Sequence, residues 1–138
     1  MYYSGSLNPG ILIDEKTSKI ASLTDLSLGM GNYPLIRIQN FPVPKRYVQK
    51  GRKIPVAGTY QKTEEYPHWN FYEHLPLPSG IIDDEIINEK TNSIPLEEWL
   101  TLKSELKKFE GIPDEGYYPI KIDESDWKNI DLSKITWV

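Results

Sequence analysis

The sequence predicts an α+β fold rich in strands, and three observations lead there. Short apolar runs alternate with polar residues, as in "GILID" at 10–14 and "PLIRIQN" at 34–40. Seven prolines fall between Pro34 and Pro78, a density that forbids a long helix and interrupts central strands. One stretch, about 95–110, carries apolar residues at helical spacing. The expected architecture is a single domain over 1–138. It has short, mainly antiparallel strands, one amphipathic helix across them, and long proline-rich connections.

The N-terminal "GILIDEKTSKIASL" reads as a hairpin, with "DEKT" as its turn and Ile20 and Leu23 returning along Ile11–Ile13. "GMGN" at 29–32 contains G-x-G, but no third glycine or lysine follows, so no phosphate loop is expected. "PLIRIQNF" is a half-buried strand, with Ile36 and Ile38 on one face and Arg37 and Gln39 on the other. "KRYVQKGRKIPVAGTYQK" reads as a second hairpin over 45–62 with "KGRK" at its tip, and Pro55 makes its returning arm an edge strand or a bulged one.

The stretch "YPHWNFYEHLPLP" at 66–78 holds both histidines and a quarter of the aromatic residues. Alternation puts Trp69, Phe71 and Glu73 on one side of a short strand and His68, Asn70 and Tyr72 on the other. One side is expected inside, and the His68–Tyr72 side either packs or contacts a partner. The helix at 95–110 takes Ser93 or Asn92 as cap and Pro95 in its first turn. Glu97 and Glu98 lie at its positive end, and Leu96, Trp99, Leu102, Leu106 and Phe109 form its apolar face. "DDEIINEK" before it reads as a short helical turn. "YYPIKID" and the terminal "SKITWV" read as further strands.

Charge is divided sharply. Residues 26–63 carry seven basic side chains and no acid, whereas residues 64–138 carry seventeen acids against seven lysines. Three readings follow: the basic and acidic parts satisfy each other within the chain, the basic part binds a polyanion, or either part meets another protein. The overall charge of −4 opposes long-range attraction to nucleic acid.

Composition narrows the chemistry. With no cysteine there are no disulfides, thiolate nucleophiles or cysteine-ligated metals. His68 and His74 are six residues apart, a spacing that brings both rings to one metal on neither a strand nor a helix. No G-x-S-x-G elbow is present, and the acidic run 123–126 lacks the glycine and terminal glutamate of a calcium loop. His74 beside Glu73 is read as a surface or core-edge histidine before an acid–base pair. No catalytic residue, metal or cofactor is expected. No apolar run reaches the ~20 residues that cross a bilayer, and the first residues lack the pattern of a secretory signal.

The expectation is therefore a non-enzymatic protein–protein interaction protein, an accessory or structural subunit of a larger assembly such as a virion or macromolecular machine. It would be cytoplasmic or part of a particle assembled inside a cell. Trp69, Tyr72 and His68 are the candidate anchors, and Arg46, Arg52 and Lys53 the steering charges. The partner would be another protein, further copies of the chain included. Two alternatives stand beside it: an acidic immunity protein neutralising a basic toxin, and a nucleic-acid-binding domain in which the 45–62 hairpin offers Tyr47 and Tyr60 for stacking.

Overall fold

A computed structural model describes residues 2–25, 34–61 and 71–120. It contains seven strands in two antiparallel sheets and two helices, in keeping with a β-rich α+β fold. The first sheet runs β1 (Tyr2–Asn8), β5 (Val56–Gln61), β6 (Phe71–Pro76). The second runs β2 (Gly10–Asp14), β3 (Lys19–Asp25), β4 (Pro34–Asn40), β7 (Gly116–Pro119). The helices are α1 (Asp84–Ser93) and α2 (Leu96–Leu106).

The two sheets share one path of chain. β1 and β2 are separated only by Pro9, whose carbonyl accepts from the Leu23 N–H at 3.1 Å. Strand β5 pairs with β1, and the residues leading into β5 pair with β2. Ile54 N–H donates to the Gly10 carbonyl at 2.7 Å, Leu12 N–H to the Arg52 carbonyl at 3.0 Å, and Gly51 N–H to the Leu12 carbonyl at 2.8 Å. A strand that passes from one sheet to the next needs a bend where backbones come close. Gly10 supplies it: a Cβ there would lie 2.4 Å from the Ile54 carbonyl oxygen.

Alternation along β2, β3 and β4 feeds two apolar clusters. Ile11, Ala21, Leu23, Ile36 and Ile38 meet Ile94 and, from α2, Trp99 and Leu102. The opposite parity, Leu12 and Ile20, meets Tyr47, Ile54, Val56 and, from α1, Ile87. The β2–β3 hairpin forms as its sequence predicts. Its turn is closed by Asp14, which accepts from the Lys16 N–H and the Thr17 hydroxyl. No helix among the described residues is long and apolar enough to cross a membrane.

Four expectations are corrected. The described residues of the expected 45–62 hairpin, 45–61, form none: Lys45–Tyr47 is a single 3-10 turn, and β5 pairs with β1 and β6. The short helical turn at "DDEIINEK" is a ten-residue second helix, α1, begun by Asp83, which accepts from the Glu85 N–H at 2.9 Å. Ser93 closes α1 by donating to the Lys90 carbonyl, and Pro95 opens the shorter α2 without a side-chain cap. Leu96, assigned to the apolar face of that helix, is 65% exposed. The expected strand at 133–138 lies outside the described residues.

Replacing Gly10 with alanine is expected to destabilise the fold by about 1–3 kcal/mol, the cost of overpacking a close contact. Gly80→Ala serves as control, because a methyl there meets nothing within 4 Å. Urea unfolding compares the two, and equal midpoints would exclude the close approach as a constraint.

Candidate functional site

Two groups of polar side chains stand out, one inside and one at the surface. The interior group lies where β6 faces the second sheet. The Ser22 hydroxyl is 2.5 Å from His74 Nδ1, and Ser22 is the cross-strand partner of Arg37. Arg37 donates to the carbonyls of Ile38 at 2.5 Å and Gly116 at 3.3 Å, and its guanidinium lies 4.6 Å from the centre of the Tyr117 ring. Asn8 donates to Thr24 nearby. All of these residues are buried, Ser22, Arg37 and His74 almost completely.

His74 is thus a core residue rather than a surface one, and the parity of β6 that points inward is that of His74 and Pro76. The sequence left open whether this parity packs or faces a partner; on the other parity Glu73 is half-buried and Leu75 is exposed. The reason is the facing surface, since Ser22 offers a hydrogen bond there and an imidazole satisfies it. Burial, and after it the Arg37 charge, lowers the His74 pKa from 6.5 to about 3. The imidazole is therefore neutral at physiological pH. A serine beside a histidine has the atoms of a nucleophile–base pair, but this one is enclosed by the core it helps to order.

The second group is on the surface, in the loop between β4 and β5. Tyr47, expected to stack on bases, is buried, and its hydroxyl donates to Asp84 Oδ1 of α1 at 2.6 Å. Arg46 Nε donates to both carboxylate oxygens of Asp84, at 3.0 and 3.2 Å, and its Nη2 to the Ile82 carbonyl at 3.3 Å. The guanidinium groups of Arg46 and Arg52 lie 5.1 and 4.8 Å from the Tyr47 ring centre. One buried ring therefore orients two exposed cations.

The electrostatics agree with that geometry. The Tyr47 hydrogen bond, followed by Arg46, holds the Asp84 carboxyl below its usual range. Burial, followed by Asp84, pushes the Tyr47 hydroxyl up. The Arg46–Asp84 pair is half-exposed and contributes little by itself; the buried tyrosine gives it direction. On the other side of the loop, the Lys50 N–H donates to Glu15 at 2.9 Å.

Part of the basic segment is thus satisfied within the chain, as the first charge reading expects. Lys53, named as a steering charge, is half-buried with its ammonium 5.0 Å from the Trp99 ring centre. Lys45, Lys50 and Arg52 are exposed and form no ion pair among the described residues. A cleft of about 400 Å³ opens between residues 47–53 and α1, with buried Tyr47 and Ile87 beneath it.

Of the remaining predicted anchors, Trp69 and His68 lie outside the described residues, and Tyr72 stands in β6 opposite Tyr60. The sequence reading missed Asp84, Ser22 and Arg37. Arg37 counts toward the basic segment yet sits in the core. The usable signal was the tyrosine that directly follows Lys45 and Arg46, which marks a loop pinned by its ring.

A model of the family described as "protein of unknown function (DUF3239)" matches residues 1–110, which include the loop and both helices. No curated protein and no solved structure matches the chain.

Two measurements check the geometry. His74 stays unprotonated in the folded state down to about pH 3, whereas an unfolded chain takes up that proton below about 6.5. Stability is therefore fully present above pH 6.5 and falls by about 1.4 kcal/mol per pH unit below it. His74→Gln should flatten the slope between about pH 6.5 and 5.5, above the range in which most carboxylates titrate; an unchanged slope in urea melts would contradict the buried neutral imidazole. Tyr47→Phe should cost about 0.5–1.5 kcal/mol and let the Asp84 carboxyl titrate at higher pH, which NMR of that carboxyl reads directly.

Proposed function

The chain belongs to the DUF3239 family, and we propose that it works by binding another protein, without chemistry of its own, as an accessory or structural subunit of a larger assembly. The docking face is the 45–53 loop with the start of α1. The observation that carries this reading is an oriented charge cluster beside an exposed apolar side chain. Arg46, held by Tyr47 and Asp84, donates to the carbonyl of Ile82, and Ile82 is 91% exposed. Ile86, one helical turn further, is also exposed. Apolar residues among fixed arginines supply area and direction together, the composition of a protein interface.

Two further facts support the reading. The Ser22–His74 pair is buried away from any substrate. The overall charge of −4 disfavours a long polyanion as the partner.

Affinity capture from the natural source, with and without nuclease, tests it. The tagged protein should retain one partner at near-equal amount after nuclease treatment. The Arg46→Ala/Arg52→Ala double variant should lose it, and Ile82→Asp should reduce it by about tenfold or more, as for a desolvated contact. Capture unaffected by either variant would sink the docking face. A mixed set of proteins that disappears with nuclease would transfer the function to nucleic acid.

A further inference from the structure

Resting on that docking reading, we infer that the cleft between the loop and α1 receives an acidic segment of the partner protein, with one carboxylate seated between Lys50 and Arg52. The cleft is preformed. Its floor residues Tyr47 and Ile87 are each 1% exposed, and the loop wall is tied to β2 by the hydrogen bonds of Gly51 and of the Arg52 carbonyl. A volume of about 400 Å³ falls within the range of sites that enclose a side chain or small ligand. Little ordering cost remains to be met on binding, because the wall does not have to be assembled.

The chemistry of the walls selects an anion. Lys50 and Arg52 line one side, and neither forms an ion pair among the described residues. Asn88 lines the other side with an exposed amide. Thr91, also on that side, has its hydroxyl committed to the Ile87 carbonyl at 2.8 Å. The available groups are therefore an ammonium, a planar guanidinium fork and an amide that can turn its NH₂ to an anion. The fork matches the two oxygens of a carboxylate.

The surroundings limit how long that anion is. Glu15 accepts from the Lys50 N–H, and Asp84 stands one helical turn before Asn88. A continuous phosphate backbone would run against these two carboxylates, whereas a single side chain enters between them. A peptide that presents one glutamate or aspartate is therefore the fitting occupant, and a nucleic acid is not.

The test uses the full chain and a dye-labelled, C-terminally amidated glycine–serine peptide with one central glutamate, read by fluorescence anisotropy, with oligothymidylate as the competing probe. The peptide should bind, more weakly as salt rises. Its affinity should fall about tenfold, the worth of one charge-assisted hydrogen bond, on Arg52→Ala. Asn88→Asp, which places a carboxylate in the opposite wall at an exposed position, should have an effect at least as large. Thermal melts of both variants verify the fold. Absence of binding, or affinity unmoved by both substitutions, overturns the inference; if the Arg46→Ala/Arg52→Ala variant still loses its captured partner, the docking reading stands alone. Oligothymidylate binding more tightly, and weakened by the same two substitutions, also overturns it.

Discussion

The structure depends on the passage of one strand between two sheets at Gly10. Backbone meets backbone there so closely that a single methyl group has no room, and the Ile54 N–H donates to the Gly10 carbonyl across the gap. Residues 51–54 consequently run along β2 while β5 continues along β1. Two sheets are joined without a long connection, and the edge of β2 is covered by the chain's own backbone. The basic loop is the approach to this seam, so its position is set by sheet hydrogen bonds at one end.

At its other end the loop is fixed by Tyr47, whose ring is core and whose hydroxyl reaches Asp84. Fixation at both ends matters for recognition. Exposed arginines on a free loop lose rotamer entropy on binding, whereas Arg46 and Arg52 already lie over an aromatic face. The same contact reconciles the divided charge of the chain: Arg46 pairs with the acidic half, and Lys50 and Arg52 are left to face outward. The acidic and basic parts therefore meet in the fold, and the meeting leaves cations displayed.

Legibility followed the range of the interactions. β2, β3 and β4 were readable because alternation is local, and Ile11, Ile36 and Ile38 fall on the parity the sequence assigns. Helix α2 was readable through Trp99 and Leu102. Helix α1 was readable only as a short turn, because only Ile87 of its ten residues is buried, too few to make a stripe; a capping aspartate and one docked isoleucine hold it. The presumed hairpin failed because β5 pairs with a strand some fifty residues earlier, which no local pattern records. Of the candidate site, Arg46 and Arg52 were legible as surface cations, but Asp84, which orients Arg46, comes from a helix whose extent the sequence did not announce.

Alone, the sequence determined the β-rich α+β class, the parity of the central strands and the division of charge, since each is a property of neighbouring residues. Tertiary structure alone decided which polar residues are core. Arg37 and His74 look like surface groups by type, yet the two sheets close over them, because Ser22, backbone carbonyls and the Tyr117 ring replace the water they give up. It also decided that Tyr47 turns inward and two arginines stay out. Whether a polar side chain is buried depends on the partners that distant segments bring to it, and those distances exist only in the folded chain.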